Sequence, residues 1–368
     1  MRPSVLLASF DVVPAPKGAS AHILATLDAL APAYDVSLVT LGDQPAPGRR
    51  HLTTQLDAPS WLDRARGFRR FVEGVLERYR FDVHHARSPW EGLAVPAHAP
   101  LIAEINGLGS IELLTRYPGI TPDIRQRLRN DELAFLDRAD RVVVVSPVTR
   151  RYLEDLGVPG DKIRWIPNKP SFAPLAAPPP ERAPGGPVRF VYHGTLSPWQ
   201  GLPSALRVFA RLTDLDVALS IYTHRKPPAG LRRLLRRPGL EGRVTLHPPV
   251  PHADLAGVLQ AHDVALAPLA PSERNLVQGC MPIKILDAMA AGLPVVAPDL
   301  PVVRDVVGPA LPLYRAWSRA DLEAQLRRWA ADADLRRRWG TALQAQVRAF
   351  SADRQARELR ALYGEVVG

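Results

Sequence analysis

QGCMPIKILDAMAAGLPVVAPDLP, residues 278–301, reads as a loop, a short helix, a buried strand and a closing turn. A helix that feeds straight into an apolar strand is half of a βαβ unit, in which crossover helices join parallel strands. Pro282 belongs in the first helical turn, where its missing N–H costs nothing, and Gly292 is placed to end the helix in the left-handed conformation. Ala288, Ala290 and Ala291 let the helix lie close on its sheet. In this apolar helix Lys284 and Asp287 stand three residues apart, on one face.

The same alternation runs outward in both directions. Strand-type runs occur at 4–9, 36–41, 82–86, 100–105, 141–146 and 163–166, with amphipathic segments near 19–31, 64–79, 122–138 and 147–156. A proline-rich connector lies at 168–187 (NKPSFAPLAAPPPERAPGGP). Strands then restart at 188–193, 217–222, 243–247, 264–268, 294–297 and 311–314, with helices near 201–212, 229–237, 252–261, 282–291 and 320–349. Such alternation means parallel sheets covered on both faces. The pattern predicts an α/β chain of two Rossmann-like doubly wound domains facing each other across a cleft. Their bounds are 1–168 and 188–350, with a linker at 169–187 and a last helix, 351–368, that starts at an N-capping Ser351 and packs back on the first domain. The length of 368 residues agrees, because single cores stop growing near roughly 250–300 residues.

Composition excludes several classes. No apolar run reaches the ~18–20 residues of a membrane span, and no cleavage pattern follows the first apolar run, which reads as a strand. Cys280 is the only cysteine, so no intrachain disulfide forms and a reducing cytoplasm is expected; a lone thiol is read as a packing residue. The net charge of +10 invites a nucleic-acid reading, but only five of the 47 basic residues are lysine and the arginines are spread over many helices. Nucleic acid is therefore not the expected partner. The basic amphipathic stretch 64–81 (RARGFRRFVEGVLERYRF) is open to two readings: a peripheral contact with an anionic membrane at its inner face, or a sheet-covering helix with a solvated arginine face. No His or Cys cluster of metal-ligand spacing and no G-x-S-x-G elbow is present, so neither a metal nor another cofactor is expected.

Ligands of doubly wound sheets sit beyond the C-terminal strand ends, which directs attention to loops 10–21, 104–121, 193–201, 222–230, 247–252 and 269–283. Gly18 and Ala19, with Lys17 before them, open the first loop to close backbone approach by a phosphate or sugar; Ser20 and His22 follow. Gly194 and Thr195 begin a second polar turn, and Glu104 and Asn106 end the strand at 100–105. At the helix that begins at Pro282, the free N–H groups of the first turn, with Lys284 and Arg274, suit a diphosphate, and Asp287 suits the paired hydroxyls of a ribose. On local physics that reading stands level with a solvated Lys–Asp pair that contributes a few tenths of a kcal/mol.

Several stretches together resemble the retaining glycosyltransferases of family 4, which have the GT-B fold. They are PAPKGASAHI, EINGLGSIE with RYPGI, DRADRVVVVSPVTRRYLEDLGVPGDKIRWIPN, VYHGTLSPWQGL, HDVALAPL and MPIKILDAMAAGLPVVAPDLPVVRDVV. The resemblance implies metal-independent transfer of a sugar, with retained configuration, from a nucleotide-diphosphate sugar to a hydroxyl acceptor, which is a glycan, a lipid-linked molecule or a small molecule. It assigns donor contacts to Gly18, Ala19, Gly194, Thr195, Pro282, Ile283 and Asp287, and acceptor contacts to Ser20, His22 and Asn106. Lys284, Arg274 and Glu104 become the catalytic set. The family's E-x7-E pattern falls on Gly279 and Asp287, and its usual Arg and Lys fall near Thr195 and Gln200, so Arg274 and Lys284 inherit the diphosphate. The implied chemistry is front-face displacement, in which the leaving diphosphate helps to deprotonate the hydroxyl. Two rivals remain: a sugar-nucleotide epimerase on the same fold, and a catalytically inactive basic binding protein.

Overall fold

The computed structural model describes residues 2–15, 18–117, 119–177, 179, 185–223, 226–251 and 253–367. Lys17, Pro118 of the RYPGI motif, connector residues 178 and 180–184, and His252 lie outside them. The chain splits into two compact units: Met1–Asn168, Gln278–Cys280 and Asp353–Gly368 form one, and Lys169–Val277 and Met281–Ala352 the other.

Among the described residues the first unit holds seven strands: β1 (Ser4–Val12), β2 (Asp35–Leu41), β3 (His51–Thr54), β4 (Val83–Ala86), β5 (Leu101–Ile105), β6 (Arg141–Val144) and β7 (Ile163–Trp165). They run parallel in the order β3-β2-β1-β4-β5-β6-β7. Side chains alternate along β1: Leu6 and Ala8 join one apolar layer, with Phe68, Val72 and Phe135 of two covering helices. Val5 and Leu7 join the opposite layer, with Ile23, Leu27 and Leu30, and with Leu359, Leu362 and Tyr363 of the last helix, Ala352–Val367. Each fully buried leucine contributes about 1.5–3 kcal/mol, which is why continuous apolar runs suffice to build the sheet. The basic helix, Trp61–Arg78, turns Phe68, Val72, Val75 and Leu76 into this core, so its apolar face is already covered.

The second unit has a main sheet of β8 (Val188–His193), β9 (Val217–Tyr222), β10 (Val244–His247), β11 (Val264–Leu266) and β12 (Val295–Val296), parallel in the order β10-β9-β8-β11-β12. Three local readings change. The 320–349 helix is two helices, Arg319–Ala331 and Ala333–Gln346, because Asp332 leaves helical geometry and its carboxylate caps the Leu335 N–H at 2.8 Å. The strand placed at 311–314 is the short Tyr314–Arg315, paired with Pro298–Asp299. The helix placed at 252–261 is the shorter Leu255–Gln260.

In both sheets the chain order reverses once, between β1 and β4 and between β8 and β11. Those are the switch points at which such sheets open toward a ligand.

Candidate functional site

At the first switch point, β5 ends in Glu104, which is 2% exposed. Its Oε1 accepts from His22 Nε2 at 2.8 Å, from Arg87 Nε at 3.2 Å and from the Asn106 amide. Its Oε2 accepts from His85 Nε2 at 3.0 Å. Arg87 Nη1 also donates to Asp11 Oδ2 at 3.1 Å and to Ser9 Oγ at 3.3 Å. His85 Nδ1 meets the Tyr363 hydroxyl at 2.6 Å. The ends of β1, β4 and β5 and the start of the Gly18–Leu30 helix thus converge on one buried carboxylate. Burial works to raise its pKa, but the Arg87 charge, with His22 and His85, holds it well below the usual carboxylate range. Two other buried carboxylates go the opposite way. Burial pushes Glu132, which takes the Ser110 N–H at 2.9 Å and hydroxyl at 2.6 Å, up to about 6, and Glu91 up to about 7.

A cavity of about 100 Å³ lies beside this cluster, walled by Trp61 and Trp90 and lined by Arg87, Gly107, Glu112 and Glu132. Aromatic walls with convergent carboxylate and guanidinium groups suit a hydroxyl-rich molecule. Among the described residues, no group of three or more His, Cys, Asp or Glu side chains is arranged to hold a metal ion.

At the second switch point the helix Ile283–Ala290 lays both of its polar residues against the end of β8. Lys284 Nζ sits 4.0 Å from the centre of the Tyr192 ring, and a Cβ on Gly194 would lie 3.4 Å from Lys284 Cε and Nζ. Asp287, 2% exposed, takes the Ser171 N–H at 2.6 Å, the Ser171 hydroxyl at 3.1 Å and His193 Nε2 at 3.1 Å. The Thr195 carbonyl accepts the Tyr192 hydroxyl. Arg274 stacks its guanidinium 5.2 Å from the centre of the Trp199 ring, and Asn275 ties the same loop to the Trp199 and Ala270 carbonyls at 2.9 and 2.7 Å. Gly201 (φ +69°) lets this loop close, since a Cβ there would sit 1.8 Å from the Pro268 carbonyl oxygen.

The expected site residues fall as follows in the fold. Both oxygens of Glu104 are filled by its own neighbours, His22, His85, Arg87 and Asn106. Ser20, 1% exposed, takes the Ala15 N–H at 2.9 Å and braces its turn. Asp287 is buried and spends its carboxylate on Ser171 and His193. Pro282 is the N-cap of its helix, and Ile283 its first residue. Gly18 and Ala19 open the first helix at the surface, and a Cβ on Gly18 would meet open space. Asn106 spends its amide on Glu104. His85, Arg87, Asp11, Tyr363 and His193 join these clusters without being marked by residue pattern alone. A signal exists for two of them, because HHAR at 84–87 ends a strand.

Residues 16–168 match the model of glycosyltransferase family 4, and residues 187–332 match that of the glycosyl transferases group 1. The chain belongs with the family 4 glycosyltransferases. It is 27% identical over 218 residues to the D-inositol 3-phosphate glycosyltransferase of Arthrobacter sp. (strain FB24), a match that covers 54% of this chain and 48% of that protein. The chain thus spans about half the length of the curated relatives it matches. Among solved structures, the sucrose-phosphate synthase of Thermosynechococcus elongatus superposes with a TM-score of 0.78 at 20% identity, over 99% of each chain. The catalytic domain of starch synthase IV from Arabidopsis thaliana, bound to ADP and acarbose, superposes at 0.71 and 13% identity over 100% of each. These likenesses show the GT-B fold, two doubly wound parallel-sheet domains. Among the described residues no helix is long and apolar enough to cross a membrane.

Proposed function

We propose that the protein transfers a sugar, with retention of configuration and without a metal, from a nucleotide-diphosphate sugar to a hydroxyl-rich acceptor. The observation that carries the donor side is the approach of Lys284 to Gly194 at the second switch point. A cation held on the Tyr192 ring there meets a loop whose first residue has no side chain, and the N-terminus of the Ile283–Ala290 helix lies beside it. A full charge and a helix dipole aimed at one place stabilise an anion, and the leaving diphosphate is where negative charge grows during transfer. Thr195, Ile283 and Arg274 complete this donor side.

The acceptor side belongs to the first unit, where Trp61, Trp90, Glu112 and Glu132 line a cavity of sugar-binding chemistry. In front-face displacement the acceptor oxygen approaches the face of the sugar that the diphosphate leaves, so catalysis is mainly positioning and charge stabilisation. Calorimetric titration with UDP, GDP, ADP and TDP tests the donor reading. One diphosphate should bind well to the wild type and at least tenfold more weakly to Lys284→Ala. Equal affinity of both proteins for every nucleotide would refute it. Donor consumption that needs an added acceptor separates transfer from epimerisation, which needs none.

A further inference from the structure

We propose that a second cavity in the first unit receives the alkyl chain and adjoining anionic group of an amphiphilic acceptor; this rests on the transferase reading above. The cavity, of about 230 Å³, lies between the helices Trp61–Arg78 and Pro122–Arg138. Each helix turns residues i, i+3, i+4 and i+7 toward it. One supplies Leu62, Ala65, Arg66 and Arg69, the other Ile124, Arg127, Leu128 and Asp131. Ala65 and Leu128 are 1% and 2% exposed, whereas all three arginines are exposed. The cavity thus has an apolar floor and a charged rim. The short helix Pro89–Gly92 adds Pro89 and Trp90 to its wall, and Leu93 follows. Gly92 lets this helix lie directly on its neighbour, because a Cβ there would run into the Phe135 ring.

The charges of the rim do not cancel. Arg69 is committed: its Nε donates to Glu73 at 3.0 Å, its Nη2 to the Leu93 carbonyl at 2.8 Å, and its charge also acts on Asp131. Arg66 pairs with Asp63 at 3.2 Å, but both side chains are largely exposed, and such surface pairs contribute little. The Arg127 guanidinium meets no partner among the described residues. One cation without a counter-charge, and a second held loosely, therefore stand over aliphatic side chains. A phosphate suits the guanidiniums, which bind it through paired N–H donors. An alkyl chain suits the floor. A bare sugar would leave Leu62, Ile124 and Leu128 without apolar contact and Arg127 without a counter-charge.

Pro89 and Trp90 line both this cavity and the smaller one beside Glu104. The Trp90 ring is held edge-on against Trp61, with 5.0 Å between ring centres. The two cavities thus adjoin across the Trp90 indole. Each alone is smaller than the roughly 300–1,000 Å³ of ordinary ligand sites, and as one groove they reach the lower end of that range. A hydroxyl-rich head beside Glu112 and Glu132 would pass its substituent over Trp90 to the arginines and the aliphatic floor. Every lining residue belongs to the first unit, so the groove is complete within it. The acceptor class that fits is a hydroxyl-rich head joined through an anionic group, such as a phosphate ester, to an alkyl chain.

Calorimetric titration of the full chain with hexyl phosphate, butyl phosphate, inorganic phosphate and hexanol tests the site without turnover. Hexyl phosphate should bind about tenfold more tightly than butyl phosphate, since each buried methylene strengthens binding about fourfold. Phosphate or hexanol alone should bind weakest. Arg127→Ala should weaken hexyl phosphate about tenfold without shifting the urea midpoint, and Ile124→Ser should reduce the gain from the longer chain. Affinity that ignores chain length, or an Arg127→Ala protein that binds hexyl phosphate like the wild type, would overturn the proposal. With the donor found by titration, hexyl phosphate should inhibit transfer in competition with the acceptor. Inhibition indifferent to acceptor concentration would place the site outside the acceptor's path and overturn the assignment. A protein that transfers sugar but does not bind hexyl phosphate refutes this inference alone. One that binds it through Arg127 and transfers nothing refutes the transferase reading and keeps the amphiphile site.

Discussion

The two switch points each bury one carboxylate, and they satisfy it by different means. Glu104 meets a full cation, two imidazoles and an amide; Asp287 meets a backbone N–H, a hydroxyl and one imidazole. The first arrangement neutralises its own charge. The second ties the start of the second unit, at Ser171, to the end of β8, while the cation three residues earlier is held on an aromatic face. One carboxylate is thus balanced by a full cation at its own strand end, while the other leaves the neighbouring cation on an aromatic face.

Four experiments would break or sharpen that contrast. Glu104→Ala strands a buried guanidinium and should cost about 3–5 kcal/mol in urea unfolding; a loss under 1 kcal/mol would mean that the cluster is not electrostatically coupled. Lys284→Ala should lower turnover about 10²–10³-fold with little change in stability, and unchanged turnover would remove the cation from the donor site. Gly279 stands where the family pattern has glutamate, yet its φ is +82° and a Cβ there would lie 2.6 Å from the Thr149 nitrogen and 2.8 Å from Ser146 Oγ. Restoring the pattern with Gly279→Glu should therefore destabilise the protein by about 1–3 kcal/mol without raising activity; a neutral or more active variant would show that the backbone adjusts.

The smallest effect concerns pH. The folded pKa of Glu132, about 6, lies above its ordinary 4.5, so the native state keeps this proton longer than the unfolded chain does. Its contribution is fullest below pH 4.5 and declines as pH rises to about 6. Glu104 has the opposite sign: its contribution is present above the ordinary carboxylate pKa and is lost as pH falls through its depressed one. Glu132→Gln should flatten the stability curve between pH 4.5 and 6, and an unaltered slope there would exclude Glu132 as its source.

The β and α segments were legible because burial on two faces demands continuous apolar runs, and those runs are local. So was the convergence of loop residues such as His22, Glu104, Gly194 and Lys284 on the strand ends. The loop after β4, which carries Arg87, is not legible as central, because strand order is not written in any one segment. Only the placement of β4 between β1 and β5 makes that loop central. The break at Asp332 was missed for a simpler reason, as one capping side chain can stop a helix that apolar periodicity continues.

By itself the sequence determined the alternation, the division into two βα halves, the family resemblance and the polar residues at the strand ends. All of these depend on residue type and spacing along the chain. Tertiary structure alone decided which of those polar groups are saturated. Glu104, Ser20 and Asp287 look like free ligands in a line of letters, but they are buried among donors brought from 82, 5 and 116 residues away. A carboxylate's role follows from who fills its lone pairs, and that is settled only when distant segments pack.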